Sequence, residues 1–211
     1  MPESAVWPLP VNIGADEATA LTNYQFAIIL MHHAARGVIA KTAVVYGAAG
    51  GVGSALIDVA RLAGASVIGT GSSPEKCAFA CARGATHAID YSRETVVERV
   101  NELTGGRGAD IIFDHVAGKV FSDDLKMLAP LGIIVSYAAL GGMPEADLFA
   151  AMRANIERSP AVRCFTMHTY DHMEEPRRDA MACAIDRLAS GYFRPAIAAC
   201  LPSLTRDVRM S

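Results

Sequence analysis

The sequence predicts an α/β fold, a doubly wound parallel sheet of about six strands with helices on both faces. Three observations lead there. From Thr42 onward, short apolar runs alternate with amphipathic stretches, which is the signature of repeated strand–helix–strand units. Gly64, Gly84 and the pair Gly105-Gly106 each close one of the amphipathic stretches, as glycines do at helix ends. Apolar residues make up 52% of the chain and charged residues 19%, a balance that supplies a large buried core.

The elements follow in order. Glu17–Arg36 reads as one long, largely apolar helix able to cover a sheet face, led in by an irregular segment with Pro2, Pro8 and Pro10. Ala43–Tyr46 is the first strand, Gly51–Leu62 a helix and Ser66–Thr70 the second strand. Pro74–Ala82 is a helix with proline in its first turn, where the missing N–H costs nothing. His87–Asp90 is the third strand, Arg93–Leu103 a helix and Asp110–Asp114 the fourth strand. Val120–Leu128 reads as helix, Gly132–Tyr137 as the fifth strand and Glu145–Ile156 as helix. Val162–Met167 is the sixth strand and Pro176–Ala189 the last helix. Right-handed crossovers then favour the spatial order 3-2-1-4-5-6. One domain over residues 1–211 is expected, with residues 1–40 as lead-in and helix, 41–190 as core and 191–211 as tail. In the tail, Ala196–Leu201 is apolar and Thr205–Ser211 polar, an end expected to fray.

Composition excludes several classes. The net charge is -3, and no basic stripe of the kind nucleic-acid binders carry is present. The apolar run Phe26–Met31 is broken by His32 and His33, far short of the roughly 20 residues of a membrane span. Met1-Pro2-Glu3-Ser4 lacks the basic and apolar regions of a signal peptide, so a cytoplasmic protein is expected. The five cysteines are irregularly spaced, which argues against a disulfide framework. Cys77 and Cys81 would share a helix face, and without a second ligand pair they read as small buried residues rather than as part of a metal site.

The chemistry lies where the first strand ends. Gly47-Ala48-Ala49-Gly50-Gly51-Val52-Gly53 joins that strand to a helix. Small residues there let a diphosphate approach the backbone, where free N–H groups and the helix dipole face the anion. Glycines alone are a weak signal, but a strand before, a helix after and a strand–helix series beyond are the context that strengthens it. The expected ligand is therefore a nicotinamide dinucleotide on a Rossmann-type sheet. NAD-binding versions carry an acidic residue about 20 positions on, for the ribose hydroxyls. This chain has Gly69-Thr70-Gly71-Ser72-Ser73 there, with Lys76 following. A hydroxyl and an ammonium suit a 2′-phosphate, which a carboxylate would repel, so NADPH is the expected cofactor. On its own, Lys76 reads almost as readily as a solvated helix lysine.

With those residues in view, Thr42–Gly142 resembles the cofactor domain of the medium-chain dehydrogenase/reductase superfamily, in its zinc-free, quinone-oxidoreductase-like branch. The stretches that carry the resemblance are Gly47–Gly53, Ser72–Lys76, Gly84–Tyr91, Leu103–Gly108 and Asp110–Asp114. The segment Ala18–Arg36 is similar to the helix that leads into the first strand of these enzymes. The resemblance implies a diphosphate cradle at Ala49, Gly50, Gly51, Val52 and Gly53, and a 2′-phosphate clamp of Ser72, Lys76 and Tyr91. It implies that Val116 and the loop Ala138–Leu140 lie along the adenosine and nicotinamide halves. It implies hydride transfer from NADPH to quinones, enones or similar electron-poor double bonds, and a homodimer joined through the sixth strand. Two departures count against activity. About 40 residues precede the first strand and little follows the last helix, so the substrate domain that both chain ends build in the family is expected to be missing. Phe26 stands where family members commonly place a threonine. A non-catalytic NADPH-binding module, or a fragment dependent on a partner, is the alternative.

Rivals fit less well. Short-chain dehydrogenases need a tyrosine acid with a lysine four residues on, and no tyrosine of this chain has one. A zinc alcohol dehydrogenase needs three convergent protein ligands, and the histidines and cysteines show no ligand spacing. No Gly-Lys-Ser/Thr follows the glycines, which excludes a P-loop NTPase. His115, after the fourth strand, is the one histidine placed to act as an acid, although a polar loop residue is the plainer reading. Asp114 reads as a structural carboxylate, so no catalytic residue is assigned.

Overall fold

A computed structural model describes residues 6–197. One parallel sheet holds β1 (Thr42–Val45), β2 (Ser66–Gly71), β3 (His87–Asp90), β4 (Ala109–Asp114), β5 (Leu128–Ser136) and β6 (Ala161–Cys164). Their spatial order is β3-β2-β1-β4-β5-β6, as expected from the crossovers. The helices are α1 (Ala15–Ala18), α2 (Leu21–Ile29), α3 (Gly51–Leu62), α4 (Pro74–Ala82), α5 (Val96–Leu103), α6 (Phe121–Lys126), α7 (Leu148–Ala154) and α8 (Glu174–Ala189).

Alternation along the strands produces two cores, because successive side chains leave opposite faces. Ala43, Val45, Val67, Ile111, Phe113, Ile133 and Val135 face α2, α3 and α8. Val44, Ile68, Ile112 and Ile134 face α5 and α6. Each such side chain contributes about 1.5–3 kcal/mol by leaving water, and Phe113 and Ile112 are fully buried. The first core is cross-tied by polar groups. The Tyr24 hydroxyl on α2 donates to Asp58 Oδ2 on α3 at 2.7 Å. Arg83, at the end of α4, donates to the same oxygen at 2.8 Å.

Several boundaries differ from expectation, four of them with a visible cause. The leading helix is not continuous: α1 and α2 are separate, and α2 widens into a π turn over Leu30–Ala34. The carbonyls at that end are taken by Arg163 of β6, which donates to His33 O at 3.0 Å and Ala34 O at 2.8 Å. Periodicity along one helix could not reveal a donor from a distant strand. The sixth helix stops at Lys126, not Leu128, and β5 starts at Leu128. Pro130 bars helix there, and the pairing of β4 with β5 slips between Ala109 and Ile111. β6 ends at Cys164 rather than Met167, because the Thr166 hydroxyl caps a 3₁₀ turn by accepting from His168 N. α5 starts at Val96 rather than Arg93, since the N–H groups of Arg93 and Glu94 both turn back to Asp90 O.

The cysteines also differ. Cys77 is half-buried and Cys81 is exposed, because α4 covers the sheet edge with a narrow face of which only Ala80 is buried. The apolar run Ala196–Leu201 extends past the described residues, and Pro2 and Thr205–Ser211 lie outside them.

The second core contains a buried acid. Asp124 of α6 accepts from the Tyr46 hydroxyl at 2.7 Å, while its Oδ2 is buried without a partner. Burial first, and then the charge of Asp114, push its carboxyl well above the usual range. Such a group keeps its proton in the folded chain after the unfolded chain has released it. Its stabilising contribution is full below the unfolded value, about pH 4, and declines as pH rises toward the folded value. Asp124→Asn, which removes the titration, is therefore expected to raise the urea midpoint at about pH 8 and flatten its decline from about pH 5 upward. Identical pH profiles for the two proteins would contradict this.

Candidate dinucleotide site

The strand order reverses between β1 and β4, so a crevice opens beyond their carboxyl ends, the place where open α/β sheets bind ligands. The loop from β1 to α3 forms its floor. Gly47 has φ +59, and a Cβ on Gly53 would lie 2.2 Å from Gly47 O, so the helix meets the loop at a distance only glycine permits. Gly50 caps α3 without any side-chain hydrogen bond. The first N–H groups of α3, from Gly51 on, therefore lack the partner that a capping side chain would supply. Gly51 is exposed, Ala49 and Val52 are half-buried and Gly53 is buried.

The end of β2 supplies the second part. Ser73 caps α4, accepting from Lys76 N at 3.4 Å. That turn brings Lys76 Nζ to 2.8 Å from Ser72 Oγ, so two of the residues expected at a 2′-phosphate meet on the surface. Tyr91 follows β3, with its N–H held by Gly71 O at 3.1 Å and its side chain 52% exposed. It lines a cavity of about 370 Å³ together with Tyr46, Gly47, Val96, His115 and Val116. Tyr91 and Val116, far apart in sequence, thus share one wall-lined space beside the glycine loop.

The third part lies past β4 and β5. Asp114 accepts from Val116 N at 2.7 Å and Ala117 N at 3.0 Å, which makes it the structural carboxylate expected of a strand end. Burial raises its carboxyl, opposed by those two N–H groups. The two loops are laced together, with Leu140 N donating to His115 O at 3.1 Å and Gly141 N to Val116 O at 2.7 Å. A second, more apolar cavity of about 570 Å³ opens here, lined by Ala117, Tyr137, Ala138, Cys164 and Phe165 among others. Ala138 borders it, whereas Leu140 is 78% exposed and lines neither cavity. Ala117 holds φ 54 and ψ -137, a region that glycine prefers and other residues enter only under strain.

His115 stands between the two spaces. It borders the smaller cavity, and its ring stacks on Tyr137 of the larger one, centroids 5.9 Å apart. Burial lowers its pKa, partly offset by Asp114, so the imidazole is neutral near pH 7. Phe26 packs edge-on to Tyr137 at 5.6 Å and against Phe165 at 6.3 Å, so the leading helix presents a ring and no hydroxyl there. Sequence reasoning missed Asn23, whose carboxamide lies over Gly51. A contact between the leading helix and the glycine loop leaves no local pattern to read. Among the described residues, no group of three or more His, Cys, Asp or Glu is arranged to hold a metal, and no helix is long and apolar enough to cross a membrane.

A reversed-order parallel sheet with a glycine-lined helix start at its switch point defines a dinucleotide-binding Rossmann domain. Comparison with known proteins gives the family. Residues 51–184 match the family model described as zinc-binding dehydrogenase. The quinone oxidoreductase-like protein 2 homolog of Nematostella vectensis is 38% identical over 148 residues, 69% of this chain and 40% of that protein. The quinone oxidoreductase of Pseudomonas syringae pv. Tomato DC3000 superposes with a TM-score of 0.83 at 31% identity, covering 92% of this chain and 59% of that one. A mycobacterial protein, Rv1454c, solved in complex with NADPH, gives a TM-score of 0.83 at 26% identity, covering 93% and 60%. The chain belongs to the zinc-binding dehydrogenase family, within the medium-chain dehydrogenase/reductase superfamily that its motifs resemble. It spans 40% of the Nematostella relative's length.

Proposed function

We propose that the chain is the NADPH-binding domain of a zinc-independent, quinone-oxidoreductase-like enzyme. The contact that carries the reading is Lys76 Nζ with Ser72 Oγ, 2.8 Å apart, at the position where an NAD-specific domain would carry an acid. The fit rests on shape as well: a Cβ on Gly53 has no room, and the start of α3 has no side-chain cap. In this reading Ala49, Gly50, Gly51, Val52 and Gly53 turn backbone N–H groups toward the diphosphate. Ser72, Lys76 and Tyr91 surround the 2′-phosphate, and Val116 lies along adenosine. Ala138 borders the nicotinamide half, with the larger cavity beyond, and Leu140 lies on the solvent side of the same loop. Bound there, NADPH supplies a hydride to an electron-poor double bond of a quinone or enone. The residues of this chain orient it, and Phe26, Tyr137 and Phe165 keep water from that end.

Titration of the purified chain with NADPH and with NADH, followed by nicotinamide fluorescence, tests this directly. Tighter NADPH binding is expected. Equal affinities would remove the clamp, and no binding of either would remove the site.

Phe26 favours a second reading, a domain that binds NADPH without turnover, because no hydroxyl stands where the family commonly has one. Oxidation of NADPH in the presence of a panel of quinones and enones decides between the two readings.

The proposal extends to assembly and place. Residues 1–211 act as a single domain in the cytoplasm. β6 is an edge strand with Ala161, Arg163 and Cys164 exposed, and an open edge pairs readily with another chain. A homodimer with a sheet continuous through β6 is expected, and a monomer by light scattering at micromolar concentration would contradict it.

A further inference from the structure

Two polar side chains that the binding mode above leaves unused flank the glycine loop. Asn23 on α2 has its carboxamide nitrogen 2.6 Å from the point where a Cβ on Gly51 would lie. His115 has ring atoms Cε1 and Nε2 at 2.4 and 2.9 Å from the corresponding point on Gly47. Gly53 differs, because backbone fills the space beside it. At Gly47 and Gly51 the room that glycine leaves is taken by hydrogen-bonding groups.

Neither group is used within the fold. Among the described residues neither the Asn23 carboxamide nor His115 Nε2, the ring nitrogen nearest Gly47, makes a hydrogen bond. Yet the backbone that carries Asn23 and the ring of His115 are held in place. Asn23 sits on a helix whose neighbours Tyr24 and Gln25 are buried, and His115 is stacked on Tyr137. Unbonded polar groups on rigid supports at a crevice are what a bound ligand would complete. From Gly47 to Gly53 every side chain is hydrogen or hydrocarbon, so the donors of the loop to an anion are backbone N–H groups.

We propose that Asn23 and His115 are the side-chain donors to the bridging diphosphate, one on each flank of the glycine loop. The proposal rests on the dinucleotide reading and deepens it. Phosphate oxygens accept strongly from amide and imidazole N–H groups. The diphosphate is common to NADPH and NADH, so these two residues set affinity for both, while Lys76 sets the preference between them.

The test is the dual titration, applied to the full chain carrying Asn23→Ala, Asn23→Asp, His115→Ala or His115→Gln. Each alanine variant is expected to weaken NADPH and NADH alike, by about 5- to 20-fold, leaving their ratio unchanged. His115→Gln keeps an N–H donor and is expected to return affinity to within about threefold of wild type. Asn23→Asp has the shape of the native side chain but the charge of the ligand, and is expected to bind more weakly than Asn23→Ala. A merely structural Asn23 would give the opposite order, since the isostere preserves packing. Alanine variants that match wild type within about twofold for both dinucleotides would overturn this proposal alone. A wild-type chain that binds neither dinucleotide overturns the underlying reading, and this proposal with it.

Discussion

Lys76→Ala is expected to weaken NADPH by about 10- to 100-fold while changing NADH by less than about threefold. The asymmetry follows from where the ammonium stands. Among the described residues its one partner is the Ser72 hydroxyl, at 2.8 Å, so it is oriented there without an opposing carboxylate. Only NADPH carries the additional phosphate beyond the adenosine. Hydrogen bonds between a cation and a phosphate are stronger than neutral ones and are lost whole when the ammonium is removed. Because Lys76 is exposed, the effect should shrink as salt is raised. Fluorescence titration at two ionic strengths reads both features. Equal losses for the two cofactors would place Lys76 in the fold rather than in the clamp.

Asp58→Ala is expected to destabilise the chain by about 3–5 kcal/mol. The Asp58 carboxylate has 4% side-chain exposure and the Arg83 side chain 16%. One carboxylate oxygen accepts both the Tyr24 hydroxyl and the Arg83 guanidinium, which ties α2, α3 and the end of α4 together. Removing it leaves a largely buried cation and a buried hydroxyl unpaired, and unpaired groups cost far more than the pair is worth intact. The melting temperature should fall by about 6–20 °C for a chain of this size. Replacing Arg83 and Tyr24 by leucine and phenylalanine together with Asp58→Ala should recover part of the loss. A single alanine variant that melts with the wild type would show that water already satisfies the network.

The strands and helices were legible because each depends on a pattern within itself, and the handedness of crossovers then ordered the sheet and placed its crevice. Alternation at Val44 and Val45, the glycines from Gly47 to Gly53, and the proline at the start of α4 each report on their own neighbourhood. The pairing of Ser72 with Lys76 was legible too, since one helical turn separates them. The π turn at the end of the leading helix was not, because its last carbonyls are taken by Arg163 of the distant strand β6. Nor was the exposure of Cys81, which depends on how much of α4 the sheet edge covers. The family resemblance put Tyr91 with Ser72 and Lys76, and Val116 with the loop Ala138–Leu140; that Tyr91 and Val116 line one cavity is visible only in the structure. It also grouped Ala138 with Leu140, which the structure separates: one borders the larger cavity and the other faces solvent.

By itself the sequence determined the fold class, the strand order and the loop at which a dinucleotide is expected. Short-range spacing of apolar, glycine and capping residues, together with the right-handedness of crossovers, is enough to decide those. Only the tertiary structure decided what surrounds that loop: Asn23 over Gly51, His115 against Gly47 and Phe26 against Tyr137. Those contacts join residues far apart along the chain, and packing between layers, unlike periodicity within an element, leaves no mark in the order of the residues.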